Sequence, residues 1–291
     1  RSLGTKTKVL PVVADVTSPD ACLKAVNQAC RALGPVDILI NNAGKGQNFV
    51  ADDHVPFWQA KLSGWKEIIE TNVNGPFFMT RAVVKLMITA GWGRVINISK
   101  SRDSMHRPKN SPYGASKAAL EAMTISWAQD LSGTGVTVNT LAPGGSVDTG
   151  FVLPAVREKI KKKEVTKKFF DPEVIVPAAV WLASGASDGI TGCRYVGAKW
   201  NAELNDQEAA EIAREAAIFL PPRRDSILTK TWTEPGIWLR PLSLKLPVDE
   251  PPPNNPPPAS LPNVRRPSQT KPRHHLLGRA HLVRPPQNKQ F

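Results

Sequence analysis

Tyr113 and Lys117 stand four residues apart in the segment NISKSRDSMHRPKNSPYGASKAAL, residues 97–120. The segment reads as a hydrophobic strand end, a polar loop and a helix beginning near Tyr113. Four residues make about one helical turn, so the phenol and the ammonium share a face. An ammonium beside a phenol favours the phenolate and lowers a pKa that otherwise lies near ~10. A phenol tuned in this way can give or take a proton while a hydride moves at the neighbouring carbon. The YxxxK spacing alone also occurs by chance on surface helices, so its meaning depends on the elements around it.

Those elements alternate between strand and helix. Lys8–Ala14 is an apolar run that reads as a buried strand. Ser18, Pro19 and Asp20 form a helix start, with a capping hydroxyl, a proline at the first position and an acid in the first turn. Cys22, Val26, Ala29, Cys30 and Leu33 then recur at helical spacing up to Gly34-Pro35. Val36–Ile40 is apolar apart from Asp37 and reads as a parallel strand covered on both faces. It delivers Asn41, Asn42, Ala43 and Gly44 to the carboxyl edge of a sheet, where doubly wound folds bind ligands. Residues 45–61 form a polar and aromatic loop that either lines a pocket or covers the sheet edge. A helix is expected over 64–90, kinked at Gly75-Pro76, followed by strands at 93–98, 136–141 and 192–196. Further helices are expected at 172–183 and 206–219, and the lysine-rich run 159–168 reads as a solvated helix face.

Composition narrows the partners. The net charge is +13, but residues 221–291 hold twelve Lys/Arg against four Asp/Glu, so the excess is concentrated there. The rest shows no basic face with interleaved aromatics, which argues against nucleic-acid binding. Cys22, Cys30 and Cys193 lack metal-ligand spacing, so no metal site and a reducing compartment are expected. No apolar run approaches the ~18 residues of a membrane span and no leader pattern opens the chain, so a cytoplasmic protein is expected. Residues 221–291 contain sixteen prolines and no sustained apolar period. That stretch reads as a disordered or polyproline tail, separate from a domain at 1–220.

Four motifs in order carry a resemblance: VDILINNAG at 36–44, ETNVNGPF at 70–77, the Tyr113/Lys117 pair, and VTVNTLAPGG at 136–145. Over about residues 8–200 the chain resembles the short-chain dehydrogenase/reductases. The resemblance implies a Rossmann-like, doubly wound parallel sheet and an NAD- or NADP-dependent interconversion of a small alcohol and ketone. It implies Tyr113 as general acid/base, with Lys117 lowering its pKa and holding the ribose, and Asn72 holding a water that relays protons. Asp15 and Val16 would meet the adenine, and Asn42, Ala43 and Gly44 would lie along the ribose. Pro143, Gly144 and Thr149 would meet the nicotinamide, although Thr149 falls one residue later than the usual PGxxxT spacing. Residues 150–172 would form a substrate lid. A homodimer or homotetramer through the Asn72 and Tyr113 helices is also implied.

Two departures stand beside the matches. The family's TGxxxGxG turn, which holds the pyrophosphate at a helix N-terminus, has no counterpart before Lys8, so the sheet is expected to be incomplete on its N-terminal side, as in an amino-truncated member. Thirteen residues before Tyr113, where the family carries Ser or Thr to polarise the carbonyl, stands Lys100. Ser101 reaches that position if the strand end shifts by one residue, and Lys100 has donors of its own. These departures leave a second reading open, an inactive remnant that acts, if at all, through its proline-rich tail.

Overall fold

A computed structural model describes residues 8–164, 166 and 169–216. The first helix, α1 (Pro19–Leu33), starts as its residues dictate, with the Ser18 hydroxyl accepting from the Ala21 N–H. Strand β1 (Ile38–Asn41) follows. Helices α2 (Leu62–Ile69) and α3 (Gly75–Ala90) join through a π-helical turn, Glu70–Asn74. The expected kink is therefore a widened turn just ahead of Gly75-Pro76. Pro76 has no N–H to return to the Asn72 carbonyl four residues earlier, so regular α-helical bonding cannot run through this point. Next come β2 (Gly93–Ile98), the short α4 (Arg102–Met105), α5 (Tyr113–Asp130) and β3 (Val136–Ala142). After α6 (Pro154–Lys161) and α7 (Val176–Leu182), the described chain ends with β4 (Arg194–Val196), α8 (Asp206–Ala213) and β5 (Arg214–Glu215).

The strands form one sheet in the order β1-β2-β3-β4-β5, the first four parallel and β5 antiparallel to β4. Helices cover both faces, the doubly wound α/β arrangement expected. On one face Val26, Leu39, Val83, Met87, Val95 and Val138 bring α1 and α3 against β1–β3. On the other, Ile96, Ile98, Leu141, Trp181, Leu182, Tyr195, Ala210 and Ala213 bring α7 and α8 against β2–β4.

Three expectations need correction. Residues 8–14 form no strand, and Val9 and Val13 lie exposed. An apolar run becomes a strand only where a neighbour takes up its N–H and C=O groups, and β1 stands at the sheet edge without pairing to it. Second, β1 is not covered on both faces. Ile38 and Ile40 are 40% and 47% exposed. They share the face of Ile96, where α7 and α8 cover β2 to β4 only. Third, the helix expected over 206–219 stops at Ala213. Glu215 instead pairs opposite Arg194 as a strand, and its carboxylate accepts from the Arg194 Nε at 3.0 Å. A buried arginine needing an acceptor outweighs the modest helix propensity of the run. Residues 217–219 and the proline-rich stretch lie outside the described residues.

Candidate active site

The carboxyl ends of β1, β2 and β3 converge on the first turn of α5. Tyr113 opens that helix and Lys117 follows one turn later, almost wholly buried. Their side chains do not meet as expected. The Lys117 Nζ donates to the Ile98 carbonyl at 2.7 Å, at the end of β2. Burial pushes the Tyr113 phenol up to about 12, which corrects the expectation that Lys117 lowers it here. Burial also pulls Lys117 down to about 8, against a weaker upward pull from Glu121. Desolvation penalises the charged form of each group, and without a direct contact neither offsets the penalty for the other.

Asn72 is fully buried on the π-turn and links two elements. Its Oδ1 accepts from the Lys45 N–H at 2.8 Å, and its Nδ2 donates to the Lys45 carbonyl at 2.9 Å and to Ser116 Oγ at 3.0 Å. Ser116 Oγ in turn donates to the Tyr113 carbonyl at 2.8 Å. The loop after β1 and the first turn of α5 are thereby tied through one amide. Gly44 lies against this amide, where a Cβ would come within 3.2 Å of Asn72 Oδ1. Beneath it, Asn41 Nδ2 donates to Asn97 Oδ1 at 2.8 Å and Asn97 Nδ2 to Thr124 Oγ1 at 2.8 Å. This buried chain fixes the register of β1 and β2 under the site.

The remaining candidates surround this centre. Asp15 is exposed, and its carboxylate accepts from the Thr17 N–H and hydroxyl, which hold it below the usual carboxylate range. Val16 and Ala43 line a small cavity with Asn41, Thr71 and Met79. At the end of β3, Pro143 accepts from the Ala198 N–H. Gly144 has φ +101°, and a Cβ there would collide with the side chains of Ala198 and Val196, so only glycine suits that turn. Thr149 is exposed, but two residues later Phe151 reaches the centre. Its ring meets that of Tyr113 edge to face, with centroids 5.8 Å apart, and packs against Gly46. The segment carrying Phe151 is fastened to the loop after β1 by Ala155 N–H to Asp52 O and by Lys159 to Asp53.

Some participants were not singled out from the sequence. Arg194 on β4 is buried and donates to Glu121, to Glu215 and, at 2.8 Å, to the Lys100 carbonyl. Glu121 also accepts from Ser99 Oγ at 2.5 Å. Burial raises the Glu121 carboxyl, with Arg194 and Ser99 pulling it back. Glu121 was legible, since it falls one turn beyond Lys117 on the same face. Arg194 showed only as a charge inside an apolar strand. Among the described residues no cluster of three or more His, Cys, Asp or Glu could hold a metal, and no helix is long and apolar enough to cross a membrane.

The family model described as short chain dehydrogenase matches residues 1–159. The chain belongs to the short-chain dehydrogenase family. Gluconate 5-dehydrogenase of Gluconobacter oxydans is 33% identical over 194 residues, covering 64% of this chain and 72% of that protein. The 3-oxoacyl-[acyl-carrier-protein] reductase FabG of Thermotoga maritima is 30% identical over 197 residues, covering 65% and 75%. Among solved structures, a gluconate 5-dehydrogenase from Burkholderia cenocepacia in complex with NADP and tartrate is similar, with TM-score 0.54 and 28% identity, over 64% of this chain and 73% of that one. The short-chain dehydrogenase fold is thus common to both.

Proposed function

We propose that this protein is an NAD- or NADP-dependent oxidoreductase that interconverts a small alcohol and its ketone. The observation that carries the reading is the convergence of Tyr113, Lys117 and the Asn72-tied loop at the carboxyl ends of three parallel strands. Ligands of doubly wound sheets bind at that edge.

The residues present suit the nicotinamide and ribose part of such a cofactor. Gly44 and Gly144 let the backbone beside the site pack closely, against Asn72 and against Val196 and Ala198, and Ala43 and Val16 line the adjoining cavity. Asn42, Ala43, Gly44 and Lys117 would hold the ribose, Pro143, Gly144 and Thr149 the nicotinamide, and Asp15 and Val16 the adenine. The bound cofactor supplies or accepts the hydride.

The chain's own residues handle the proton. In the reducing direction Tyr113 gives its phenolic proton to the substrate oxygen, and in the oxidising direction it takes one. A phenol raised by burial holds its proton until that transfer. Lys117, one turn away on α5, donates to the Ile98 carbonyl and is assigned to the ribose hydroxyls of the bound cofactor. Asn72 holds the loop after β1 against the start of α5, and its carbonyl, which Pro76 cannot satisfy, suits a water on a proton path to Lys117. Ser101, the serine expected to polarise the carbonyl, donates its hydroxyl hydrogen to Ser104 Oγ at 2.7 Å. The expected homo-oligomer belongs to the same reading. Helix α3 leaves Phe77, Leu86 and Ile88 partly exposed, apolar surface that a second copy would cover.

The test is a screen of the full chain with NADH and NADPH against 3-oxo esters, keto acids and simple cyclic ketones, followed by nicotinamide absorbance. Turnover of at least one ketone with one of the two cofactors is expected. Folded protein that turns over none of them would contradict the reading.

A further inference from the structure

We propose that Lys100, rather than a serine, donates to the substrate oxygen opposite Tyr113. The proposal rests on the oxidoreductase reading above and specifies its second donor.

Three side chains leave the end of β2 in succession, and each goes somewhere different. Ser99 is 4% exposed and turns inward, its hydroxyl donating to Glu121 Oε1 at 2.5 Å. Ser101 turns to the mouth of α4 and donates to Ser104 Oγ. Lys100 lies between them, on the opposite side of the extended chain from Ser99. Its Nζ stands 4.4 Å from the centre of the Tyr113 ring and donates to the Ser104 carbonyl at 3.3 Å. Of the three, Lys100 is the side chain that reaches the tyrosine.

The backbone beneath it is held. The Lys100 carbonyl accepts from Arg194 Nη2 at 2.8 Å, and Arg194 is itself anchored by Glu121 and Glu215. Arg194 is therefore a positioning residue, which sets where the lysine stem leaves the chain. The same network occupies Ser99 through Glu121, so the arrangement that presents Lys100 also withdraws the neighbouring hydroxyl.

An ammonium suits the task. It carries three N–H donors on a flexible stem, so it can turn from the ring face of Tyr113 toward an oxygen held at the phenol. Reduction breaks the C=O π bond as a hydride, drawn from a reduced nicotinamide, forms the new C–H bond. The electron pair moves to oxygen, and the Tyr113 proton completes the O–H bond, leaving a phenolate. Lys100 is not consumed; it donates a charge-assisted hydrogen bond to the oxygen as negative charge develops there, which a neutral hydroxyl does more weakly.

The experiment compares Lys100→Met, Lys100→Ser and Ser101→Ala in the full chain, with the ketone turned over best in the screen. Lys100→Met is expected to lose about 100-fold or more in kcat/KM, the scale of one lost oxyanion donor, and Lys100→Ser to recover most of that loss. A second readout needs no turnover: the same ketone with cyanoborohydride and no nicotinamide, followed by peptide mapping. A saturable reductive adduct on the Lys100 amine is expected, because that amine lies within reach of the bound carbonyl. Undiminished activity of Lys100→Met overturns the proposal, as does a loss confined to Ser101→Ala or an active enzyme whose Lys100 stays unlabelled. If wild type and all three variants are equally inert, the oxidoreductase reading fails, and this proposal with it. That pattern is distinct from an active wild type that tolerates Lys100→Met.

Discussion

Replacing Tyr113 by Phe is expected to lower turnover by about 1,000-fold, within the range for losing a positioned general acid, while leaving the affinity for the reduced cofactor within a factor of about two, since uniform binding contacts are kept. The substitution removes only the phenolic O–H. The ring keeps its edge-to-face contact with Phe151 and its contact with Lys100, and the backbone carbonyl still accepts from Ser116. The site therefore keeps its shape and loses its proton. Initial rates of ketone reduction, beside a fluorescence titration of the same variant, separate the two effects. Activity preserved within tenfold would place the proton on another group. A parallel loss of cofactor affinity would mean that the phenol binds rather than reacts.

The second large effect concerns stability. Arg194→Met is expected to destabilise the fold by about 3–5 kcal/mol, the cost of leaving one partner of a buried ion pair uncompensated. Arg194 and Glu121 are 2% and 3% exposed, and the guanidinium also satisfies Glu215 and the Lys100 carbonyl. Without it, the Glu121 carboxyl keeps the Ser99 hydroxyl and the more distant charges of Arg102 and Lys117, and must take up a proton or remain charged with its bonded cation gone. The double variant Arg194→Met/Glu121→Gln should recover most of the loss, because a buried pair replaced as a pair is often nearly neutral. Urea unfolding of the two variants and the wild type measures both effects. A loss below about 1 kcal/mol for the single variant would place the pair among weakly coupled surface bridges.

The sequence made some of this architecture plain because local chemistry and tertiary position agreed. Ser18-Pro19-Asp20 starts α1 through its own capping chemistry, Gly93–Ile98 is buried throughout, and Tyr113 begins its helix where the pattern places it. It was less informative where the outcome depended on a neighbour. Lys8–Ala14 has the composition of a strand, but pairing decides strands, and these residues do not pair. Arg214 and Glu215 continue a helical composition, yet Arg194 draws Glu215 to the sheet edge.

The candidate site divides in the same way. Tyr113, Lys117, Asn72 and Gly44 could be named from motif spacing, and the fold gathers them at one sheet edge. What spacing could not give was direction. It paired Lys117 with Tyr113, whereas the ammonium is bonded to Ile98. Nor could it show that Ser99 points to Glu121 while Lys100 points to Tyr113, because that follows from which face of β2 meets Arg194. Phe151 comes from the segment after β3, and its approach to Tyr113 depends on the anchors at Asp52 and Asp53.

The most direct test of the central claim is a fluorescence titration of the purified full chain with NADH and with NADPH, on protein shown to be folded by circular dichroism. Saturable binding of one of them is predicted, weakened when Lys117 is replaced by Met, since that lysine is assigned to the ribose. Folded protein that binds neither cofactor at millimolar concentration would contradict the oxidoreductase account and leave the family fold without its chemistry.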